Sequence, residues 1–185
     1  MQALMQRETK LVEASSARLA YPEKISGGRI QVLIAKGIDP TVAAIDLEMV
    51  KMKLRQPSEE VNWTEEQSED AEVEYKRYLT LCLHYPYPRF SVVPNKIMDT
   101  MWHYHILDTR AYHRDCERVF GGYVHHYPYF GLRGKEDAQR LKETFEETKK
   151  LYEREFGEPM ARSRESDCWH DCSDRCWHAC SDGDE

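Results

Sequence analysis

No apolar run in this 185-residue chain approaches the ~18 residues that a helical membrane span needs. The opening stretch, MQALMQRETKLVEASS, lacks the basic-then-apolar layout of a secretory signal. A cytoplasmic location with reduced thiols and no membrane partner is the expectation. Positive charge is in deficit: 26 Lys and Arg stand against 33 Asp and Glu, a net charge of −7 and a pI near 5.7. A general phosphate-backbone binder is thereby excluded, and no nucleic-acid partner is expected. Glycine is scarce, at nine residues, and no phosphate loop, dinucleotide fingerprint or G-x-S-x-G elbow occurs. No sustained strand alternation and no βαβ pattern appears.

What is present is helical periodicity. Asp39-Pro40 reads as an N-cap followed by Pro at the first helical position. Val42, Ile45, Met49 and Met52 follow at spacings of three and four, and Pro57 lies beyond the end. Thr64 and Gln67 form a capping-box pattern ahead of Ala71, Tyr75, Leu79 and Cys82. A third helix is expected from Asn95 to about Phe120, ended by Gly121-Gly122. A fourth covers about Lys135 to Phe156, with Ala138, Leu141, Phe145, Tyr152 and Phe156 on its apolar face and Gly157 closing it. Before Asp39, Gly27-Gly28 interrupts a loose helical pattern, and RIQVLIAKG fits a short helix or a strand. The fold class is all-α: a small bundle of at least four helices. The segments are 1–60, N-terminal and helical; 61–158, the central helical domain; and 159–185, a tail expected to be disordered unless bound.

The densest stretch is Asp99 to Cys116. On one continuous helix Trp102, His105, Thr109, Tyr112 and Cys116 form a core-facing stripe. Asp99 and His103, four apart, are neighbours on an adjacent face. His125 and His126 follow the Gly-Gly cap, which can fold them back toward the helix. Imidazoles with a carboxylate suit Zn²⁺ or Fe²⁺, so Asp99, His103, His105, His125 and His126 form a candidate metal site. Residues two apart on a helix diverge, so His103 and His105 do not share one centre. The competing reading is structural: His105 hydrogen-bonded to Tyr112 or a backbone carbonyl in the core, Asp99 capping and orienting His103. The Y-P-Y connections at Tyr85/Tyr87 and Tyr127/Tyr129 are expected to pack against the helices.

The pattern D-x-x-W-H-x-H-I-L-x-T, then Y-x-x-x-C, then H-H-x-P resembles the glycine-rich domain-containing protein-like family. The matching residues are Asp99, Trp102, His103, His105, Ile106, Leu107, Thr109, Tyr112, Cys116, His125, His126 and Pro128. The resemblance covers roughly Glu74 to Gly157. It implies a helical domain and is compatible with a metal site. The chain departs from the family name, since it has no glycine-rich segment; a Cys/His/Trp tail stands there instead.

That tail repeats. Cys168-Trp169-His170-Asp171-Cys172-Ser173-Asp174-Arg175 is followed by Cys176-Trp177-His178-Ala179-Cys180-Ser181-Asp182-Gly183, with six of eight positions identical. Four of the six cysteines fall within these residues, too local for a disulfide framework. Thiolates with imidazoles favour zinc or copper(I), so Cys168, His170, Cys172, Cys176, His178 and Cys180 are the first candidate ligand set. Trp169, Trp177, Ser and Asp recur although none is a preferred soft-metal ligand. A second reading follows: a precursor whose tail is modified at Trp169, Trp177 or the four cysteines, with the helical part as leader. In either case the partner is a protein, or a modifying enzyme, acting on the tail. C-x-x-x-C is not the C-x-x-C of thioredoxin-like redox sites. A metalloenzyme using the central histidines is a third reading, without an accompanying nucleophile–base pair.

Mass separates the first two readings. For a metal-binding tail, protein from the native host has a denatured mass equal to the 21.8 kDa sequence mass and carries metal adducts under native spray. A denatured mass that differs, with the change mapping to residues 168–180, makes the chain a modified precursor.

Overall fold

The computed structural model describes residues 25–57, 61–89 and 91–160. The loose pattern at Leu4 to Leu19 and the whole Cys/Trp/His repeat lie outside the described residues. Among these, seven helices and no strand are found, as the all-α expectation requires. They are α1 (Gly27–Ala35), α2 (Pro40–Ala43), α3 (Glu48–Leu54), α4 (Glu65–His84), α5 (Lys96–Leu107), α6 (Thr109–Phe120) and α7 (Lys135–Phe156).

α4 is the centre of the bundle. The capping box forms as its sequence predicts: Thr64 Oγ1 accepts from the Gln67 N–H at 3.1 Å, and Gln67 Oε1 accepts from the Thr64 N–H at 2.8 Å. Every residue from Ala71 to Leu81 is buried, not a single stripe. A helix wrapped on all sides must bury its charged positions, and these persist only when paired. Glu72 is 1% exposed and Lys76 0%. Glu72 Oε1 accepts from Lys76 Nζ at 2.7 Å; its Oε2 accepts from Lys51 Nζ and Arg29 Nη2, each at 2.8 Å. Lys76 also donates to the Ala43 carbonyl at 3.0 Å. The Glu72–Lys76 pair thus ties α1, α2 and α3 to α4. On another side Tyr152 of α7, fully buried, donates to Glu74 Oε1 at 2.7 Å and accepts from Arg77 Nη1 at 2.8 Å. Arg77 also satisfies the Lys36 carbonyl at the end of α1, at 3.2 and 3.1 Å. The remaining side is aromatic: Tyr78 packs on Trp102 of α5, ring centroids 5.2 Å apart.

Three expectations are corrected, and one left open is settled: RIQVLIAKG contributes a short helix, α1, which opens at Gly27 behind the Ser26 N-cap. The helix expected from Asp39 is two helices. Asp39 caps α2 with Pro40 at its start, but α2 stops at Ala43, and Asp46 Oδ1 accepts from the Glu48 N–H at 3.0 Å to start α3. The phase changes across the gap, so Leu47, Val50 and Leu54 are buried while Met49 and Met52 are 41% and 44% exposed. The helix expected from Asn95 to Phe120 also divides. Asp108 has ψ of 70°, outside the helical range, and its Oδ1 accepts from the Ala111 N–H at 3.2 Å. A short acidic side chain that caps the following turn competes with the continuing ladder. Thr109 is in consequence exposed, off the stripe that sequence alone assigns it. Finally, Tyr85 packs, donating to Glu155, but Tyr87, Tyr127 and Tyr129 are 84%, 54% and 58% exposed. The expected glycine caps are present: Gly121 and Gly157 have φ of 68° and 72°.

Replacing Glu72 by Gln leaves Lys51 and Lys76 buried without their shared anion. A loss of about 3–5 kcal/mol is expected in urea unfolding at neutral pH. Burial alone raises the Glu72 carboxyl, but Lys76 and the hydrogen bonds from Lys51, Lys76 and Arg29 outweigh it and hold it at about 2, against an ordinary 4.5. A depressed folded value means that this stabilisation is complete above 4.5 and drains away as pH falls toward 2. The Gln variant therefore has a flatter stability curve across that window. An unfolding midpoint within error of the parent contradicts this account.

Candidate metal centre

Asp99 lies in the first turn of α5 and His103 one turn on, the four-residue step that places both on one face. The inward face of α5 carries Met98, Met101, Trp102 and His105. Asp99 and His103 are consequently turned away from the deepest core, with side-chain exposures of 14% and 52%.

The third member comes from the segment after α6. Gly121 turns the chain in the left-handed region, where a side chain is strained. From Tyr123 to Tyr129 exposure then alternates residue by residue. Val124, His126 and Pro128 face inward, and Tyr123, His125 and Tyr127 face out. The segment is pinned at Val124. Trp102 Nε1 donates to Tyr112 Oη at 2.8 Å, and the Tyr112 hydroxyl donates to the Val124 carbonyl. His126 then stacks on Trp102, ring centroids 4.5 Å apart. Farther on, Asp137 of α7 anchors the loop, Oδ2 accepting from the Gly131 N–H at 2.7 Å. Gly131 has φ of 94°, where a side chain is strained, and a Cβ there would also crowd Leu141 Cδ2 at 2.7 Å.

These supports bring three donors together. His126 Nε2 is 2.8 Å from Asp99 Oδ1 and 3.0 Å from His103 Nε2, and His103 Nε2 is 3.5 Å from Asp99 Oδ2. One donor atom from each of Asp99, His103 and His126 lies within 4.8 Å of the others. The chemistry of this triangle is telling. A neutral imidazole nitrogen either donates a proton or offers a lone pair, not both. If His126 Nε2 donates to Asp99, it has no second proton for His103. If it accepts from His103 instead, its lone pair faces a carboxylate oxygen. A single cation at the centre accepts from all three donors at once, and two imidazoles with one carboxylate are a ligand set for borderline divalent metals.

A second group of acidic donors, Glu48, Glu69 and Glu72, converges similarly. Its centre already holds Lys51 Nζ, 2.6, 2.5 and 2.8 Å from the three carboxylates. That group is an ion pair network and not a metal centre.

Of the candidates from sequence, Asp99, His103 and His126 are brought together, and His105 and His125 are not. His105 is 2% exposed on the opposite face of α5. Its Nδ1 meets Tyr75 Oη at 3.0 Å and its Nε2 meets Asp115 Oδ2 at 3.4 Å. Burial raises the Asp115 carboxyl, but His105 and the charges of Arg114 and Arg118 prevail and hold it below its ordinary value. His105 is a core brace linking α4, α5 and α6; it is hydrogen-bonded in the core, but to Tyr75 and Asp115 and not to the expected Tyr112 or backbone carbonyl. His125 is exposed and stacks on Tyr123, centroids 5.2 Å apart. The tail ligands Cys168, His170, Cys172, Cys176, His178 and Cys180, with Trp169 and Trp177, lie outside the described residues. Sequence reasoning missed Tyr112 and Val124 as the support of the site. The only signal was a Tyr ten residues after a Trp, both on the core stripe.

Exchanging each α5 histidine separates brace from ligand. His105→Leu leaves the Tyr75 hydroxyl and the Asp115 carboxylate without a shared partner and is expected to cost the metal-free protein about 2 kcal/mol or more. His103→Gln, on the open face, is expected to change stability by under ~0.5 kcal/mol. Urea unfolding with chelator present checks both; equal losses for the two would reject the assignment.

A family model described as UCP032817-like matches residues 45–153, more than half of the chain and inclusive of all three donors. No curated protein and no solved structure matches the chain.

Proposed function

The chain belongs to the UCP032817-like family, and we propose that it binds one divalent transition-metal ion, zinc by preference, through Asp99, His103 and His126. The observation that carries this reading is the convergence of two Nε2 atoms and a carboxylate at 2.8–3.5 Å, an arrangement that one proton cannot satisfy at all three corners. Two imidazoles and a carboxylate leave at least one coordination position open, since zinc takes four ligands. His103, half exposed, lies on the side from which that position is reached. Trp102 and Tyr112 contribute by holding His126 in place; the hydrogen bond from Tyr112 fixes the backbone two residues before it. Such support from behind a ligand commonly decides metal affinity by 10–100-fold.

The repeat at Cys168, His170, Cys172, Cys176, His178 and Cys180 belongs to the same reading as a second, softer donor set. Its thiolates suit zinc or copper(I), whereas the Asp99 carboxylate suits zinc or Fe²⁺. Zinc is the ion that both sets accept. The resemblance of the W-H-x-H stretch to the glycine-rich domain-containing protein-like family fits a helical domain built around this centre.

The test isolates the folded site by changing all four tail cysteines to Ser in the full-length chain. Isothermal titration with Zn²⁺ is expected to give one ion per chain. In that background His126→Gln or Asp99→Asn weakens binding by about 100-fold or more, with helix content by circular dichroism unchanged. A parent that takes up no zinc, or a His126→Gln variant that binds as tightly, refutes the proposal.

A further inference from the structure

We infer that the outward face of α6 is a docking surface for an acidic helix of a partner protein, whose carboxylates are read by the row Arg110, Arg114 and Arg118. The metal reading plays no part in this.

The row stands out against the chain that carries it. Acidic residues exceed basic ones in the sequence as a whole, 33 against 26. On α6 the exposed residues are Thr109, Arg110, His113, Arg114, Glu117 and Arg118. Three arginines thus accompany a single glutamate on that face. They recur every four residues, the step that stacks side chains on one side of a helix. The row is therefore ~12 Å long, with ~6 Å between its members. On α7, by contrast, cations pair with neighbouring anions: Lys149 with Glu146, and Arg140 with Asp137.

Helix stability does not account for the row. Like charges four apart repel, and the row holds two such pairs, Arg110 with Arg114 and Arg114 with Arg118. Arg110 also lies in the first turn, where the helix dipole disfavours a cation and no acidic residue accompanies it. A buried anion lies under the other two. Asp115 Oδ1 is 3.5 Å from both Arg114 Nε and Arg118 Nη2, while its Oδ2 faces His105. That carboxylate orients the two guanidinium groups from below and still leaves their side chains 52% and 41% exposed.

An aromatic strip borders the row. Tyr123, partly exposed, stacks between His113 and His125, with ring centroids 6.2 and 5.2 Å away. Behind it is buried Tyr112, 5.1 Å off. Tyrosine beside arginine is the composition of interface anchors. A ring held from behind loses little freedom when a partner covers it.

The chemistry of the row selects the partner. A guanidinium fork matches a planar carboxylate or a phosphate. At physiological salt the field of the row fades over ~8 Å, less than the row's own length. A nucleic acid carries one charge per ~1.7 Å and runs well past the row, along a chain whose net charge is −7. A short segment with carboxylates ~6 Å apart stays on the row. Among the described residues there is no strand, and so no sheet edge to pair the backbone of an extended segment. A helix satisfies its own backbone and presents carboxylates at the same four-residue step.

The probe is a fluorescein-labelled, alanine-based helical peptide with glutamates at three positions four apart. It is added to the full-length chain in low-salt buffer with chelator present. Anisotropy is expected to show saturable binding that weakens as salt is raised. Arg110→Glu, which leaves both contacts to Asp115 in place, is expected to weaken binding by about tenfold or more, and so is Arg110→Ala with Arg114→Ala. Lys142→Ala on α7 leaves it unchanged. A peptide of the same composition, with its glutamates spread round the helix, is expected to bind about tenfold more weakly. Equal binding of the two peptides reduces the effect to net charge and overturns the inference, as does a parent that binds neither or an Arg110→Glu variant that binds like the parent. A single-stranded oligonucleotide that binds the parent more tightly than the peptide, and is lost in Arg110→Glu, makes the row a phosphate site and overturns it too. Self-association of the chain that Arg110→Glu abolishes assigns the row to a second copy instead.

Discussion

Burial of α4 on every side from Ala71 to Leu81 is the constraint on which the rest of this domain depends. A surface helix needs only one apolar stripe; this one is enclosed from Ala71 to Leu81. Charged residues inside that span have to be neutralised where they stand, and each neutralising group fixes another helix. Glu72 recruits Arg29, Lys51 and Lys76, and Glu74 with Arg77 recruits Tyr152. The cost of breaking such a network exceeds its net contribution, because the surviving partners are stranded without water. The polar contacts therefore act chiefly to specify which helix packs where, while the apolar and aromatic core provides the driving force.

The third side of α4 is where this constraint reaches Asp99, His103 and His126. Tyr75 takes His105, and Tyr78 takes Trp102. With both of those side chains committed inward, the rotation of α5 about its axis is settled, and the four-residue pair Asp99 and His103 is left on the outer face. The remaining degree of freedom is the position of His126. It is set through the same residues: Trp102 provides the surface on which the ring stacks, and its N–H orients the Tyr112 hydroxyl that holds Val124. Core and site share their residues, so the site is rigid without needing rigidity of its own loop.

Much of this was legible in the sequence, unevenly. Local signals with a specific mechanism carried through: the Thr64/Gln67 box, Pro40 behind Asp39, and the left-handed caps at Gly121 and Gly157. Periodicity misled where a short acidic side chain could end one helix and start the next. Asp108 does so between α5 and α6; ahead of α3, with α2 already stopped at Ala43, Asp46 accepts from the Glu48 N–H. Each break shifts the phase, so Met49, Met52 and Thr109 fall outside the buried face that an unbroken helix predicts. For the site, two-residue spacing correctly separated His103 from His105. Spacing alone could not choose between His125 and His126, because adjacent residues of an irregular segment are equivalent until something pins the backbone. The pin is the Tyr112 hydroxyl on the Val124 carbonyl, a contact across twelve positions. The Glu72 network was invisible for a similar reason: only its four-residue pair with Lys76 is local.

The two convergent groups of the domain differ in how their charge is closed. Glu48, Glu69 and Glu72 present three anions, but Lys51 supplies a cation from within the chain, so the charge is closed and no foreign ion is called for. At Asp99, His103 and His126 one anion meets two groups that are neutral donors of lone pairs when unprotonated. No Lys or Arg ion pair to Asp99 is found among the described residues; its partners there are His103 and His126. Protonating an imidazole closes the charge at one corner and leaves the other two competing for one hydrogen. The divalent ion proposed for this place would satisfy all three donors at once.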